Sequence, residues 1–518
     1  MPKAKRIKSN AIKREGVCSM KKVVIVGAGI AGLGSGVYAA RSGFDVTILE
    51  QHAVPGGLSA SWSRKGYYFE GGLHWLTGSS EKIPLYKIWK EVGALQENNP
   101  VFYKDPIYTL MIGGGKKLCL YRNTQKLREE LLNHAPEDKK MINRLCKDIS
   151  YYKNVHLLIK DKRGLKCKNP KSPKIGEVLK MWTAALRVLY LKNVSGREYI
   201  SQFKNKDVRN LIGGMINQDY NALSLIYTLG SFSSGDCGYP EGGSARMAKN
   251  MADTFTSLGG KIEYRQNVEK VCMKTDEHGK KTVTGVIANG NFIEADAVIV
   301  TQDARQAIDD LFDKENPLEE KWIPKMKRLS ISEQDMFFGF GIKADLKDYP
   351  RSMLIPLEKP FVAGGKEFYV LPVNNYALYP NHAPEGCTTL SCLLLGEFYD
   401  YWKKAKEDGT YKEKKQKAID DLTAILEEKI PEFKGNIEVT DLATSLTNER
   451  FCKTFEGGYM NLMKAGMMTT SFPSKAQSVR GLYFAGQRMI MPGGLPMAIK
   501  SAWNAAQELC YDFGAVFE

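Results

Sequence analysis

KKVVIVGAGIAGLGSGVYAARSGFDVTILE, residues 21–50, decides the fold. Val23 to Val26 is a β-branched run of the kind found in a parallel strand buried on both faces. Gly27, Gly29 and Gly32 follow in G-x-G-x-x-G spacing. Gly27 permits the tight turn, Gly29 lets the backbone approach a pyrophosphate, and Gly32 lets a helix pack closely on the strand. The helix opens near Ile30 and Ala31, so its first amides point at phosphate oxygens. A second strand, Asp45 to Leu49, ends at Glu50, 18 residues past Gly32. A carboxylate there accepts hydrogen bonds from ribose hydroxyls. A lone glycine motif is weak, but here strand, glycines, helix, strand and acid come in order. The acid, with no arginine standing in for it, argues against a 2′-phosphate and leaves NAD and FAD both open.

The next segment separates the two. Pro55-Gly56-Gly57-Leu58 follows directly, then an aromatic strand KGYYFE (65–70) and GGLHWL (71–76). A second Gly-Gly pair asks for another close backbone approach, as a long dinucleotide such as FAD requires. This pattern resembles the glutathione-reductase-type FAD fold, in its amine oxidase and phytoene desaturase branch. YFEGGLHWL resembles the phytoene desaturase, carotenoid isomerase and retinol saturase group, with Glu70 where an Asp is usual. The resemblance implies an α/β chain: an FAD-binding Rossmann domain with an inserted α+β substrate domain. It extends the cofactor-binding set from Gly27, Gly29, Ile30, Ala31, Gly32 and Glu50 to Gln51, Gly56, Gly57, Leu58 and Gly72. His74 is similar to the histidine of the saturase-type sequences, where desaturases more often have Thr.

The far end supplies a second nucleotide-like element, GLYFAGQRMIMPGGLP (481–496). Leu482 to Ala485 reads as a strand, and the Pro492 to Pro496 loop precedes a helix whose N-terminus favours negative charge. In the resembled family this segment reaches the ribityl chain and flavin ring, usually through Gly-Asp. Here the pair is Gly486-Gln487, and Leu495 and Met497 follow on the loop and helix. The strand KIEYRQNVEKV (261–271) leads to Val268, which matches a position contacting the adenine end of FAD. These segments divide the chain as follows: a basic tail 1–20; FAD-binding portions 21–100, 239–304 and 476–518; substrate-binding portions 101–238 and 305–475. MFFGFGI (336–342) and TTLSCLLL (388–395) read as strands of the substrate portion, and 102–122 as a hairpin turning at Gly113 to Gly115.

The net charge of +16 (74 basic minus 58 acidic) would suit nucleic acid or an anionic membrane surface. No nucleic-acid module is present, so the surface is the better partner. The loop KDKRGLKCKNPKSPK (160–174) feeds a segment of helical apolar spacing, 175–191, that suits a bilayer interface. No run approaches a membrane span, and residues 1–19 lack the apolar stretch of a secretory signal. A cytoplasmic protein, peripheral on the inner face of a membrane, is therefore expected. The cysteines form no C-x-x-C pair and the histidines no ligand spacing, so reduced thiols and no metal are expected.

The resemblance implies an FAD-dependent oxidoreductase acting on a carbon–carbon bond of an apolar polyene or isoprenoid-like lipid, with hydride transfer through flavin N5. His74 and Arg488 stand as catalytic candidates, His74 to donate or orient a proton, Arg488 to hold a polar head group or the flavin. His74 and Gln487 tilt the reading toward saturation. Reduced-flavin cis–trans isomerisation and amine oxidation are the alternatives. No separate nicotinamide motif is present, which leaves the electron partner open.

Overall fold

A computed structural model describes residues 20–157, 186–312 and 317–518. The basic tail 1–19, the loop 160–174 and most of the interfacial segment 175–191 lie outside the described residues. Of that segment, 186–191 is helical.

Five parallel strands form the first sheet, in the order Leu482–Phe484, Ala297–Val300, Lys22–Val26, Asp45–Glu50, Lys261–Tyr264. Alternate residues of the central strand serve opposite faces. Val23 and Ile25 pack under the glycine-loop helix Ile30–Arg41, the C-terminal helix Leu495–Phe513 and the helix Gly243–Ser257. Val24 and Val26 pack with Leu482, Phe484 and the helix Ala304–Leu311. Two covered faces explain why VVIV carries no polar alternation. The chain leaves this sheet after Glu50 and again after Val300, and returns to pair in parallel at Lys261 and at Leu482.

Gly32 allows the glycine-loop helix to sit where it does. A Cβ there would lie 1.9 Å from the carbonyl oxygen of Gly27. Its role is the helix-to-strand packing expected from the motif.

The second sheet draws strands from both sides of the 261–300 return. Its order is Ile437–Ala443, Ser332–Ile342, Thr388–Gly396, Lys366–Asn375, Ser352–Ala363, Tyr108–Gly113, Lys116–Leu120. All pairings along it are antiparallel except Ser352–Ala363 with Tyr108–Gly113. Helices from 124 to 233 pack against its Tyr108 and Leu110 end. The helices Tyr399–Glu407 and Tyr411–Lys429 cover Phe338 and Phe340.

KIEYRQNVEKV is two strands rather than one. Arg265 turns left-handed at φ 60°, and Val268–Thr275 starts a separate antiparallel ribbon with Lys281–Ala288 and Asn291–Glu294. The break has a consequence for the site: it carries Gln266, Asn267 and Val268 across the end of the parallel sheet.

Candidate active site

A cavity of about 1120 Å³ opens at the carboxyl ends of all five parallel strands. Gly27, Glu50, Gln266, Thr301 and Gly486 each follow or end one of them and each lines it. Ligands of open parallel sheets bind at this edge. The cavity continues to the second sheet, where Glu333, Pro372, Asn374 and Leu393 to Leu395 form its wall.

Two helices begin at the cavity, and neither brings a negative group of its own. The glycine-loop helix is capped by Gly29 and the C-terminal helix by Gly494, with no side-chain cap and no acid in the first turn. The uncapped amides of both face the same space, as anionic phosphate or a reduced flavin ring needs. Gly29 is distinct from Gly32. It has ordinary φ −72°, and a Cβ there would meet nothing nearer than Gly56 O at 3.8 Å. Folding does not demand a glycine at 29; close approach of a bound dinucleotide does. Gly56 bridges back to Gly29, its N–H donating to Ala28 O at 3.0 Å, which places Gly57 and Leu58 on the same wall. The residues present therefore fit FAD.

Glu50 is buried, and each carboxylate oxygen accepts one backbone N–H, Ala28 at 2.7 Å and His52 at 2.8 Å. The carboxylate is thereby fixed at the cavity edge with lone pairs to spare for ribose hydroxyls. Gln51, Gly72, Val268, Gly486, Leu495 and Met497 also line the cavity. So every expected cofactor residue is brought together there except Gly32, which supports the wall from behind.

Gln487 braces the loop around the second helix start. Its amide N–H donates to Tyr459 O at 3.0 Å, and its carbonyl accepts the Gly494 N–H at 2.8 Å. A carboxylate could accept from Gly494 but not donate to Tyr459. The geometry thus uses both ends of the Gln487 amide.

Glu70 staples the segment that carries His74. It is fully buried and accepts the N–H groups of Gly72 and Leu73 at 3.0 Å each, and that of Ser244 at 2.8 Å. Burial pushes its carboxyl up to about 7, with those hydrogen bonds pulling the other way. His74 then faces the cavity beside Asn374, whose amide lies 3.4 Å from its Nδ1. The amide orientation follows from its other end. Asn374 Oδ1 accepts from Ser352 Oγ at 2.9 Å and from the Lys104 ammonium at 3.4 Å, leaving Nδ2 to donate to His74. The proton of a neutral imidazole therefore sits on Nε2, which is buried without a hydrogen-bond partner. Burial and the nearby Lys104 charge lower His74 to about 4. At neutral pH it is a neutral hydrogen-bond donor, suited to orienting a group and not to giving up a proton as an imidazolium.

Arg488 is corrected outright. Its guanidinium does not line the cavity; it is 2% exposed and paired with Asp303, itself 4% exposed. Nη2 donates to Asp303 Oδ2 at 2.6 Å, Nε to both carboxylate oxygens at 3.2 Å, and Nη1 to Asn461 at 3.0 Å. With its donors committed inward, it ties the C-terminal loop to the 303 and 461 segments.

Four wall residues have no motif to announce them, Asn217, Tyr220, Glu333 and Asn374, and neither does Lys104, which stands behind Asn374. Glu333 heads a strand otherwise read as apolar, and the only signal was the polar run SEQD (332–335) before MFFGFGI. Among the described residues no cluster of His, Cys, Asp or Glu could hold a metal ion.

Comparison with known proteins agrees with this geometry. The profile of the family described as flavin containing amine oxidoreductase matches residues 30–510. A chloroplastic prolycopene isomerase of Daucus carota is 24% identical, over 95% of this chain and 80% of that protein. An all-trans-retinol 13,14-reductase of Danio rerio is 24% identical, over 91% and 83%. A lycopene-forming phytoene desaturase of Paracoccus sp. is 22% identical, over 96% and 98%. Among solved structures, an oxidoreductase from Methanosarcina mazei superposes with TM-score 0.58 at 17% identity, covering 95% of this chain and all of that one. A putrescine oxidase bound to putrescine superposes with TM-score 0.59 at 15% identity, covering 96% and 99%, which shows the shared fold. With the family matched across nearly its whole length, this chain belongs to the flavin-containing amine oxidoreductases and is an oxidoreductase whose cofactor is FAD.

Proposed function

We propose that this oxidoreductase acts on a carbon–carbon double or single bond of an apolar polyene or isoprenoid-like lipid. The observation that carries the reading is the arm of the cavity beyond the nucleotide end. Met215, Ile216, Leu223, Val370, Met463 and Met467 line it, a wall that suits a long hydrocarbon. Methionines there adapt to an irregular apolar ligand. The names of the relatives, a retinol reductase, a phytoene desaturase and a prolycopene isomerase, support the same substrate class.

FAD, when bound, supplies a carrier that takes or gives two electrons with hydrogen. The chain does the rest. Gly27, Gly29, Gly56 and Gly57 give the dinucleotide close backbone approach. Glu50 receives the ribose hydroxyls. The two helix starts favour negative charge on phosphates and on the reduced ring. His74, held by Asn374, orients a polar group near Gly72, and the apolar arm excludes water.

Incubating lipid extract or a defined polyene with the protein, reduced and oxidised, tests this by mass spectrometry. A product two hydrogens heavier with the reduced protein identifies saturation, and two lighter with the oxidised protein identifies desaturation. An isomer of unchanged mass places the chain with the isomerases. Hydrogen peroxide from an amine, with no polyene converted, sinks the proposal.

The entrance suggests where the lipid comes from. Val155 and Met468 are exposed at the cavity wall, Tyr151 is exposed next to the lining Tyr152, and Leu186, Leu189 and Tyr190 are exposed around the lining Val188. We infer a peripheral contact with a membrane surface through this apolar rim; among the described residues no helix is long and apolar enough to cross one. Leu186→Glu with Leu189→Glu is expected to reduce flotation with anionic vesicles at least about tenfold, since each leucine that enters the bilayer contributes about 1.5–3 kcal/mol. Unchanged flotation contradicts the contact.

A further inference from the structure

The cavity holds a carboxyl group that the cofactor does not account for. Glu333 is 1% exposed, lines the cavity, and its Oε1 has no hydrogen-bond partner. Its Oε2 is held by the Tyr220 hydroxyl at 2.5 Å, and Tyr220 is itself fixed near Asn461 O at 3.3 Å. The side chain thus has one oxygen anchored and the other buried without a partner, in a residue that lines the cavity carrying the apolar arm. It sits close to the cofactor loop through a short chain of contacts. Its backbone oxygen accepts the Tyr459 N–H at 2.7 Å, and Tyr459 O accepts from Gln487. A buried acid with an idle oxygen costs stability. Among the described residues no positive side chain pairs with it, so it is not held there as an ion-pair member.

We propose that Glu333 is the proton donor and acceptor of the reaction, with Tyr220 positioning its carboxyl. This rests on the functional reading above. In the saturating direction the substrate π bond breaks. One C–H bond forms with the Glu333 carboxyl proton, which leaves a carboxylate. The other forms with hydrogen that arrives with an electron pair from the reduced flavin, which is oxidised by two electrons as the substrate is reduced by two. Solvent then returns a proton to the carboxylate. In the desaturating direction the carboxylate takes the proton instead.

The surroundings set the pH behaviour. The carboxyl is raised to about 7, by burial first and then by the charges of Asp335 on its own strand and Asp219 on the 217–221 turn, with Tyr220 and Asn217 pulling the other way. Tyr459 faces the same pocket as a neutral phenol, itself raised by burial. At pH 6 the group is the acid that saturation needs, and at pH 8 it is the carboxylate that desaturation needs. Saturation should therefore slow as pH rises through about 7, and desaturation should accelerate.

The test compares wild-type holoprotein with Glu333→Gln and Tyr220→Phe. Expected for Glu333→Gln are wild-type FAD content, a turnover lower by roughly 10²–10⁴-fold, and no pH limb near neutrality. Tyr220→Phe keeps the acid, removes a bond to the charged form, and moves the limb to higher pH. Infrared difference spectra of wild type minus Glu333→Gln read the group without turnover: a protonated carboxyl band is present at pH 6 and gone at pH 8. A wild type inert to all polyenes sinks the functional reading, and this proposal with it. An active wild type matched in rate and pH profile by Glu333→Gln, or a difference spectrum lacking the band at pH 6, overturns the proposal alone.

Discussion

Arg488→Met is expected to destabilise the fold by about 3–5 kcal/mol, the cost of leaving one partner of a buried ion pair uncompensated. Asp303 would be left at 4% side-chain exposure with the Arg305 N–H at 3.0 Å and the Phe455 N–H at 3.3 Å as donors but no paired cation. Asn461 would lose the donor that fixes its side-chain oxygen. Denaturant unfolding of the apoprotein measures the loss, and Arg488→Met combined with Asp303→Leu should recover much of it, because a buried pair can be replaced by apolar packing at little net cost. A loss below about 1 kcal/mol would mean that the pair is not structural, and would return Arg488 to the list of groups available to a ligand.

Gly29→Ala is the second large effect, and it should fall on the cofactor. The added Cβ meets nothing closer than 3.8 Å within the protein, so the apoprotein should stay folded. The only local cost is the weaker helix cap of alanine, about 1 kcal/mol or less. In the cavity the same methyl occupies the approach to the pyrophosphate. Overpacking of about 1–3 kcal/mol corresponds to a loss in FAD affinity of roughly 5–160-fold. Gly32→Ala should behave in the opposite order, because its Cβ would be driven against Gly27 O at 1.9 Å and unfolding would precede any effect on FAD. Apoprotein melting and FAD titration by fluorescence quenching separate the two. Wild-type FAD affinity in Gly29→Ala would contradict the assignment of this cavity to the cofactor.

The parts of the site that could be read in the sequence are those where a short stretch forces a backbone shape. Gly27 to Glu50 dictate a turn, a helix start and an acid at a strand end, all within one contiguous run. Gly56-Gly57 and Gly493-Gly494 do the same locally. What stayed hidden depends on side chains meeting across segments. Arg488 looked like a ligand group because its partners, Asp303 and Asn461, lie 185 and 27 residues away in other elements. His74 looked like a proton donor because nothing adjacent in sequence reveals Lys104 and Asn374, which set its charge and tautomer. Glu333 fell in a strand read from its apolar tail, and its tyrosine anchor is 113 residues earlier. The left-handed Arg265 also escaped notice, since a non-glycine residue at positive φ carries no compositional mark. Gln487 was legible as a departure from the usual acid. Its donation to Tyr459 O required the fold.

The central claim is that the apolar arm brings a carbon–carbon bond to the same cavity that holds FAD. It is tested most directly at the cofactor. Protein reconstituted with FAD and reduced with a limiting amount of dithionite, without oxygen, is mixed with a defined polyene in detergent. The expected result is return of the oxidised flavin spectrum, with one double bond lost per flavin reoxidised. A reduced spectrum that persists with every polyene, an oxidised flavin that none of them bleaches in the parallel anaerobic experiment, and unchanged polyene double-bond geometry and content would together contradict the claim.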